Sequence, residues 1–164
     1  MKDESVSDFR TVRGYQLLNR QVGNLTPAME DYLEMTYRLC LSNSYARVGQ
    51  LSELLNVRPP SASKMISKLT YYGYLKYDRY GIIQMTELGF DAGAYLLKRH
   101  ETVENFLRLI GNLTPLKEAE LIEHSLSPET VDDLNDILTF FQNDDDVRRK
   151  FLSFKQQKNN EEPI

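Results

Sequence analysis

Between Val48 and Met85 the hydrophobic period changes from helical to alternating, and that change narrows the folds open to the chain. Leu51, Leu54 and Leu55 carry helical spacing and predict a short helix. Asn56-Val57-Arg58-Pro59-Pro60 then forms a turn whose prolines preset the next helix start. Ser61 to Tyr71 predict that helix, with Met65, Ile66 and Leu69 inward and Gly73 as its stop. Two β-prone runs follow, Tyr74-Leu75-Lys76-Tyr77 and Ile82-Ile83-Gln84-Met85, around the turn-rich tip Asp78-Arg79-Tyr80-Gly81. A helix-turn-helix that runs directly into a hairpin is a winged helix. Its second helix is expected to expose Ser61, Ala62, Ser63, Lys64, Ser67 and Lys68, offering small hydroxyls and a methyl to base edges and lysines to phosphates. Arg79 and Tyr80 at the hairpin tip are expected on the sugar-phosphate backbone or in the minor groove, and Arg47 is also expected to touch DNA. A helix-turn-helix that merely packs is an even competitor on the helices alone, and the hairpin with its Arg-Tyr tip favours DNA.

The net charge of −4 speaks against a polyanion partner only as an average. From Ser44 to Thr86, Arg47, Arg58, Lys64, Lys68, Lys76 and Arg79 face only Glu53 and Asp78. From Thr114 to Asp146, Lys117 alone opposes ten acidic residues. A basic module is joined to an acidic one, the arrangement a polyanion reader coupled to a cation binder would need.

The acidic half holds Glu120-Leu121-Ile122-Glu123-His124. Read as helix, its i, i+3 and i+4 positions bring Glu120, Glu123 and His124 to one face. Alone, such a run is more often a solvated acidic face. Two further helices change the odds. Thr26-Pro27 opens one that is expected to run to about Leu41, with Met29, Leu33, Tyr37 and Cys40 as its apolar stripe and Asp31 and Glu34 beside it. Thr86 caps another, from Glu87 to Ile110, on which His100 shares a face with Leu96, Val103 and Leu107. Six oxygen and imidazole donors without a thiolate suit six-coordinate Mn²⁺ or Fe²⁺ better than tetrahedral zinc. The single cysteine, Cys40, excludes an internal disulfide framework. No apolar run reaches membrane-spanning length and no signal peptide is evident, so a cytoplasmic chain with no membrane partner is expected.

Ser127-Pro128 opens a further helix whose Val131, Leu134, Ile137, Leu138 and Phe141 form a stripe with few partners in so short a chain; a symmetric homodimer would cover it, with intramolecular packing as the alternative. The expected organisation is mainly α with a small β-wing. Residues 1–24 are an extension with a frayed or accessory helix, 25–86 a winged helix-turn-helix DNA-binding domain, 87–155 a helical metal-binding and dimerisation domain, and 156–164 a disordered tail.

From Leu25 to about Lys155 the sequence resembles the diphtheria-toxin-repressor family of metal-dependent regulators, in its manganese-transport-regulator branch. The resemblance rests on Met29-Glu30-Asp31-Tyr32-Leu33-Glu34, Tyr45-Ala46-Arg47-Val48, Ser63-Lys64-Met65, Arg99-His100-Glu101, Asn105 to Gly111 and Glu120 to His124. It implies metal ligands at Asp31, Glu34, His100, Glu120, Glu123 and His124; the iron-sensing branch would carry Met and Cys where Asp31 and Glu120 stand. It also implies the two-domain form, without the SH3-like third domain of longer members. The expected function is a manganese-dependent repressor that binds palindromic operator DNA as a metal-loaded homodimer and controls metal-uptake genes. It would hold about two Mn²⁺ per subunit, with Fe²⁺, Zn²⁺ or Cd²⁺ as substitutes and no organic cofactor. The alternatives are an iron- or zinc-responsive regulator of the same family, a carboxylate-bridged dimetal enzyme, which would want two E-x-x-H motifs where this chain has one E-x-x-E-H, and a metal-independent winged-helix regulator. No enzymatic role is expected.

Overall fold

The computed structural model describes residues 25–161. The accessory helix expected within residues 1–24 and the end of the tail, 162–164, lie outside them. The chain forms two compact units, one ending at Leu97 and the other beginning at Lys98. This division falls inside a helix, three turns beyond the 86/87 boundary expected from the sequence.

The first unit contains α1 (Pro27–Asn43), β1 (Ala46–Arg47), α2 (Val48–Leu54), α3 (Pro59–Tyr71), β2 (Leu75–Tyr77), β3 (Ile82–Met85) and the start of α4 (Glu87–Leu109). Thr26 caps α1 as its spacing predicts, its Oγ1 accepting from the Met29 amide at 3.3 Å, with Pro27 in the first turn. α3 ends at Gly73, whose φ of 83° suits a residue without Cβ. The Tyr74 amide bonds the Leu69 carbonyl across it, at 3.0 Å. The strand order is β1-β3-β2, antiparallel throughout. β1 is an addition to the expected hairpin: two residues pairing Ala46 with Ile83 and Arg47 with Ile82.

The interior of this unit joins Met29, Leu33 and Cys40 of α1 to Leu51, Ala62, Ile66, Leu69, Leu75, Ile83, Met85 and Leu96. Ala62 is therefore not part of the exposed recognition face. The inward stripe of α3 is Ala62, Ile66 and Leu69, at i, i+4 and i+7, while Met65 is half-buried. Of the three leucines whose spacing predicts α2, Leu51 is enclosed whereas Leu54 is 55% exposed. Two glycines let α4 approach closely: a Cβ on Gly89 would lie 2.0 Å from the Tyr74 carbonyl oxygen, and one on Gly93 would lie 2.6 Å from Cβ of Tyr37. Thr86 ties the hairpin to α4, its hydroxyl donating to the Gly73 carbonyl at 2.7 Å and accepting from the Gly89 amide at 3.0 Å.

The second unit holds the rest of α4, then α5 (Pro115–Ile122), a 3₁₀ turn (Glu123–Ser125), α6 (Pro128–Asn143) and α7 (Asp145–Glu161). Gly111 stops α4 with φ 79°. α7 runs to Glu161, into the segment 156–164 expected to be a disordered tail. The core is small: Val103 and Leu107 of α4 with Ala119 of α5, supported by half-buried Ile110, Leu126 and Leu134. Val131 is the buried residue of the α6 stripe. Phe141 meets Phe151 of α7, ring centres 5.1 Å apart.

Candidate metal centre and nucleic-acid interface

The expected metal donors divide between the two units. On α1, Asp31 is half-buried and Glu34 is buried. Four residues on, Arg38 gives Glu34 a forked ion pair, its Nε and Nη2 donating to Oε1 at 2.9 and 2.7 Å.

In the second unit, His100 lies on the inward face of α4 and is 4% exposed, as its spacing with Leu96, Val103 and Leu107 predicts. The run from Glu120 to His124 departs from one continuous helix. α5 ends at Ile122 and Glu123 to Ser125 tighten into a 3₁₀ turn, because Pro128 holds Ser127 extended (φ −76°, ψ 157°) and the helix must close before it. The three donors are consequently unequal. Glu123 is driven inward until it is 1% exposed, whereas the Glu120 side chain stays 57% exposed.

Glu123 and Glu120 nevertheless meet at the same imidazole. His100 Nδ1 lies 3.1 Å from Glu123 Oε2 and 3.6 Å from Glu120 Oε1. His124 stands alongside, its Nε2 3.8 Å from Glu123 Oε1 and its Nδ1 3.0 Å from Nη2 of Arg99. Burying a carboxylate is costly unless a partner compensates, and for Glu123 the imidazole of His100 is one such partner. Imidazole nitrogens and carboxylate oxygens without a sulfur donor fit a hard or borderline divalent cation.

Side chains outside the expected donor set also touch these donors. Glu104 places Oε2 3.8 Å from His100 Nε2, and Arg38 and Arg99 hold Glu34 and His124. The i, i+4 spacing of His100 with Glu104 and of Glu34 with Arg38 is a signal that sequence carries. Arg99 and His124 are 25 residues apart, and no local pattern joins them.

On the first unit, Ser61, Lys64, Ser67 and Lys68 are exposed on α3, Ser63 is half-buried and Ala62 is buried. The Ser67 hydroxyl donates to the Ser63 carbonyl at 2.9 Å, leaving its lone pairs outward. Arg58, at the N-cap of α3, is exposed beside them. The hairpin tip is built by Asp78, whose Oδ1 accepts from the amides of Tyr80 (2.8 Å) and Ile82 (2.9 Å). That turn presents Arg79 and Tyr80 together, the guanidinium 4.9 Å from the ring centre and bonded to the phenol oxygen at 2.7 Å. On β1, where Arg47 pairs with Ile82 next to that tip, the Arg47 guanidinium lies over the Tyr45 ring at 5.6 Å. This surface combines cations with hydroxyls, the chemistry that grips phosphates and reads base edges.

Residues 24–82 match the iron dependent repressor N-terminal DNA binding domain, and residues 86–152 the iron dependent repressor metal binding and dimerisation domain. The HTH-type transcriptional regulator MntR of Bacillus subtilis is 41% identical over 135 residues, covering 81% of this chain and 94% of that protein. MntR of Lysinibacillus sphaericus is 38% identical over 136 residues, covering 82% and 98%. Among solved structures, the manganese regulator SloR is similar at 29% identity and a TM-score of 0.62, over 71% of this chain and 55% of that one. IdeR of T. acidophilum is similar at 26% identity and a TM-score of 0.61, over 67% and 53%. The chain thus spans about half the length of these two solved chains. Among the described residues no helix is long and apolar enough to cross a membrane. The paired domains and the identity across nearly the whole of its relatives place the chain in the diphtheria-toxin-repressor family of metal-dependent transcriptional repressors, in its manganese-transport-regulator branch.

Proposed function

We propose that the chain is a Mn²⁺-responsive repressor that binds palindromic operator DNA as a homodimer in the cytoplasm and controls genes for metal uptake. The observation that carries this reading is the convergence of Glu123 and Glu120 on buried His100, an oxygen and imidazole donor set with a buried carboxylate at its centre. Asp31, Glu34, His100, Glu120, Glu123 and His124 would hold the metal, with two ions per subunit balancing the four carboxylates. Glu104 is a further donor within reach of His100. Bound metal supplies positive charge and a fixed demand for oxygen and nitrogen donors. Donors drawn from both units would link the free energy of ligation to the state in which DNA is bound, and operator DNA would reciprocally tighten metal binding.

On the DNA side Lys64 and Lys68 would hold phosphates, Ser61, Ser63 and Ser67 would face base edges, and Arg47, Arg79 and Tyr80 would grip the flanking backbone, with Arg58 added at the head of α3. Ala62 belongs to the core. Two such helices related by a dimer axis address half-sites about 34 Å apart or a multiple of that.

The test is operator retardation by the full chain. Mn²⁺ is expected to produce a retarded complex on a palindromic site and a chelator to release it; equal binding by chelator-treated protein sinks the metal-gated reading. Repeating the titration anaerobically with Fe²⁺, and with Zn²⁺, separates a manganese sensor from the iron- and zinc-responsive readings.

A further inference from the structure

We propose that Arg99 is a resident cation at the metal centre, a positioning residue that must let go of His124 before that histidine can ligate, and that it thereby raises the metal concentration at which the repressor loads. The proposal rests on the metal-binding reading above. Arg99 immediately precedes His100 on α4, is 4% exposed, and directs Nη2 to Nδ1 of His124 at 3.0 Å. A guanidinium can only donate, so Nδ1 must accept. The ring proton then sits on Nε2, the nitrogen facing Glu123 Oε1 at 3.8 Å. Neither nitrogen offers a lone pair in this arrangement.

Both routes to ligation displace the arginine. Coordination through Nδ1 takes the lone pair that Arg99 uses. Coordination through Nε2 moves the ring proton to Nδ1, where N–H would confront N–H. A divalent ion also repels a guanidinium held this close. The centre therefore already contains a positive charge tethered to one of its donors, and an entering ion competes with that charge as well as with water. Arg38 on Glu34 is a looser counterpart, its side chain 39% exposed.

Two measurements on the full-length protein test this. In metal-free wild type, long-range ¹H–¹⁵N correlation of the imidazoles is expected to show His124 with Nδ1 unprotonated and Nε2 protonated. A protonated Nδ1 overturns the proposal, and this readout needs no variant. Free-Mn²⁺ EPR is then expected to show Arg99→Met binding Mn²⁺ roughly tenfold more tightly than wild type, the scale of one charge-assisted hydrogen bond. Arg99→Lys, which keeps the cation without the planar fork, is expected to fall between the two. A folded Arg99→Met with unchanged or weaker affinity overturns the proposal while leaving the manganese reading intact. Wild type that binds no Mn²⁺ overturns both. If Arg99→Met fails to fold, the wild-type tautomer decides.

Discussion

The two units fill their interiors with different chemistry. In the first, Leu33, Leu51, Ala62, Ile66, Leu69 and Ile83 are fully enclosed; Thr36 and Ser52 are satisfied locally, donating to the carbonyls of Tyr32 (2.7 Å) and Gly49 (2.8 Å), and the one buried carboxylate among its described residues, Glu34, is paired with Arg38. In the second, enclosed hydrocarbon is scarce while Arg99, His100, Thr102 and Glu123 are all buried. Its apolar side chains lie largely outside, with Leu113, Leu121, Phe140 and Phe154 exposed. A hydrophobic interior stabilises a fold unconditionally, whereas a charged one does so only when its charges are balanced. The first unit is thus built as a rigid reader, and the second as an element whose order depends on what it binds and on the second copy that its dimerisation domain implies.

The largest effect that would break this contrast is in the first unit. Ile66→Ala is expected to cost about 2–5 kcal/mol in chemical denaturation, the usual range for emptying an enclosed aliphatic site. A cost below about 1 kcal/mol would mean that α3 is not clamped by the core described.

Next comes the second unit's dependence on its ligand. A cation that binds only the folded state stabilises by about 2.7 kcal/mol at a hundredfold excess over Kd. Mn²⁺ is therefore expected to raise the thermal midpoint of wild type but not of Glu123→Gln, in which a neutral amide replaces the buried carboxylate beside His100. Metal-independent midpoints in both proteins would remove the conditional character assigned to this unit.

The same contrast explains what sequence can and cannot announce. Thr26-Pro27 and Ser127-Pro128 reveal their helix starts because a cap is a local device, and Gly73 and Gly111 reveal the stops for the same reason. The burial of His100 follows from period alone. Ala62 departs from its expected face because the rotation of α3 is fixed by its packing on α2 through a turn whose Asn56 adopts φ 50°, a choice spacing does not encode. β1 is invisible in sequence because two residues become a strand only through pairing with β3. The 3₁₀ turn at Glu123 reflects a proline five residues downstream overriding the helical period. Arg99 on His124 is a tertiary contact with no pattern in sequence.

A smaller effect separates reading from sensing. Lys64→Ala and Lys68→Ala are each expected to weaken binding to every DNA sequence and to lower the salt dependence by about one unit for each phosphate no longer neutralised. Their Mn²⁺ affinity without DNA should match wild type, since neither lysine belongs to the donor set. An unchanged salt slope in both would mean that α3 does not lie along the backbone.

The smallest effect compares two caps that share the same bond to the backbone and stand on different interiors, the Ser127 hydroxyl also lying 3.2 Å from that of Thr130. Thr26 and Ser127 each accept from the amide three residues on, at 3.3 Å, and each precedes a proline. Removing either hydroxyl is expected to cost about 1 kcal/mol by local chemistry. The loss should nevertheless be felt differently. α1 is anchored along its length by Met29, Leu33 and Cys40, so Thr26→Ala should appear as a uniform loss of global stability, with its first turn still protected from hydrogen exchange. In α6 Val131 is buried and Leu134 half-buried, while Ile137 and Phe140 are exposed. Ser127→Ala should therefore open the first turn of α6 locally, and the amides of Thr130 and Val131 should exchange about fivefold faster with little change in the global midpoint. Equal and global effects from the two caps would show that the second unit is as firmly clamped as the first, and the division into a rigid reader and a conditional sensor would have to be abandoned.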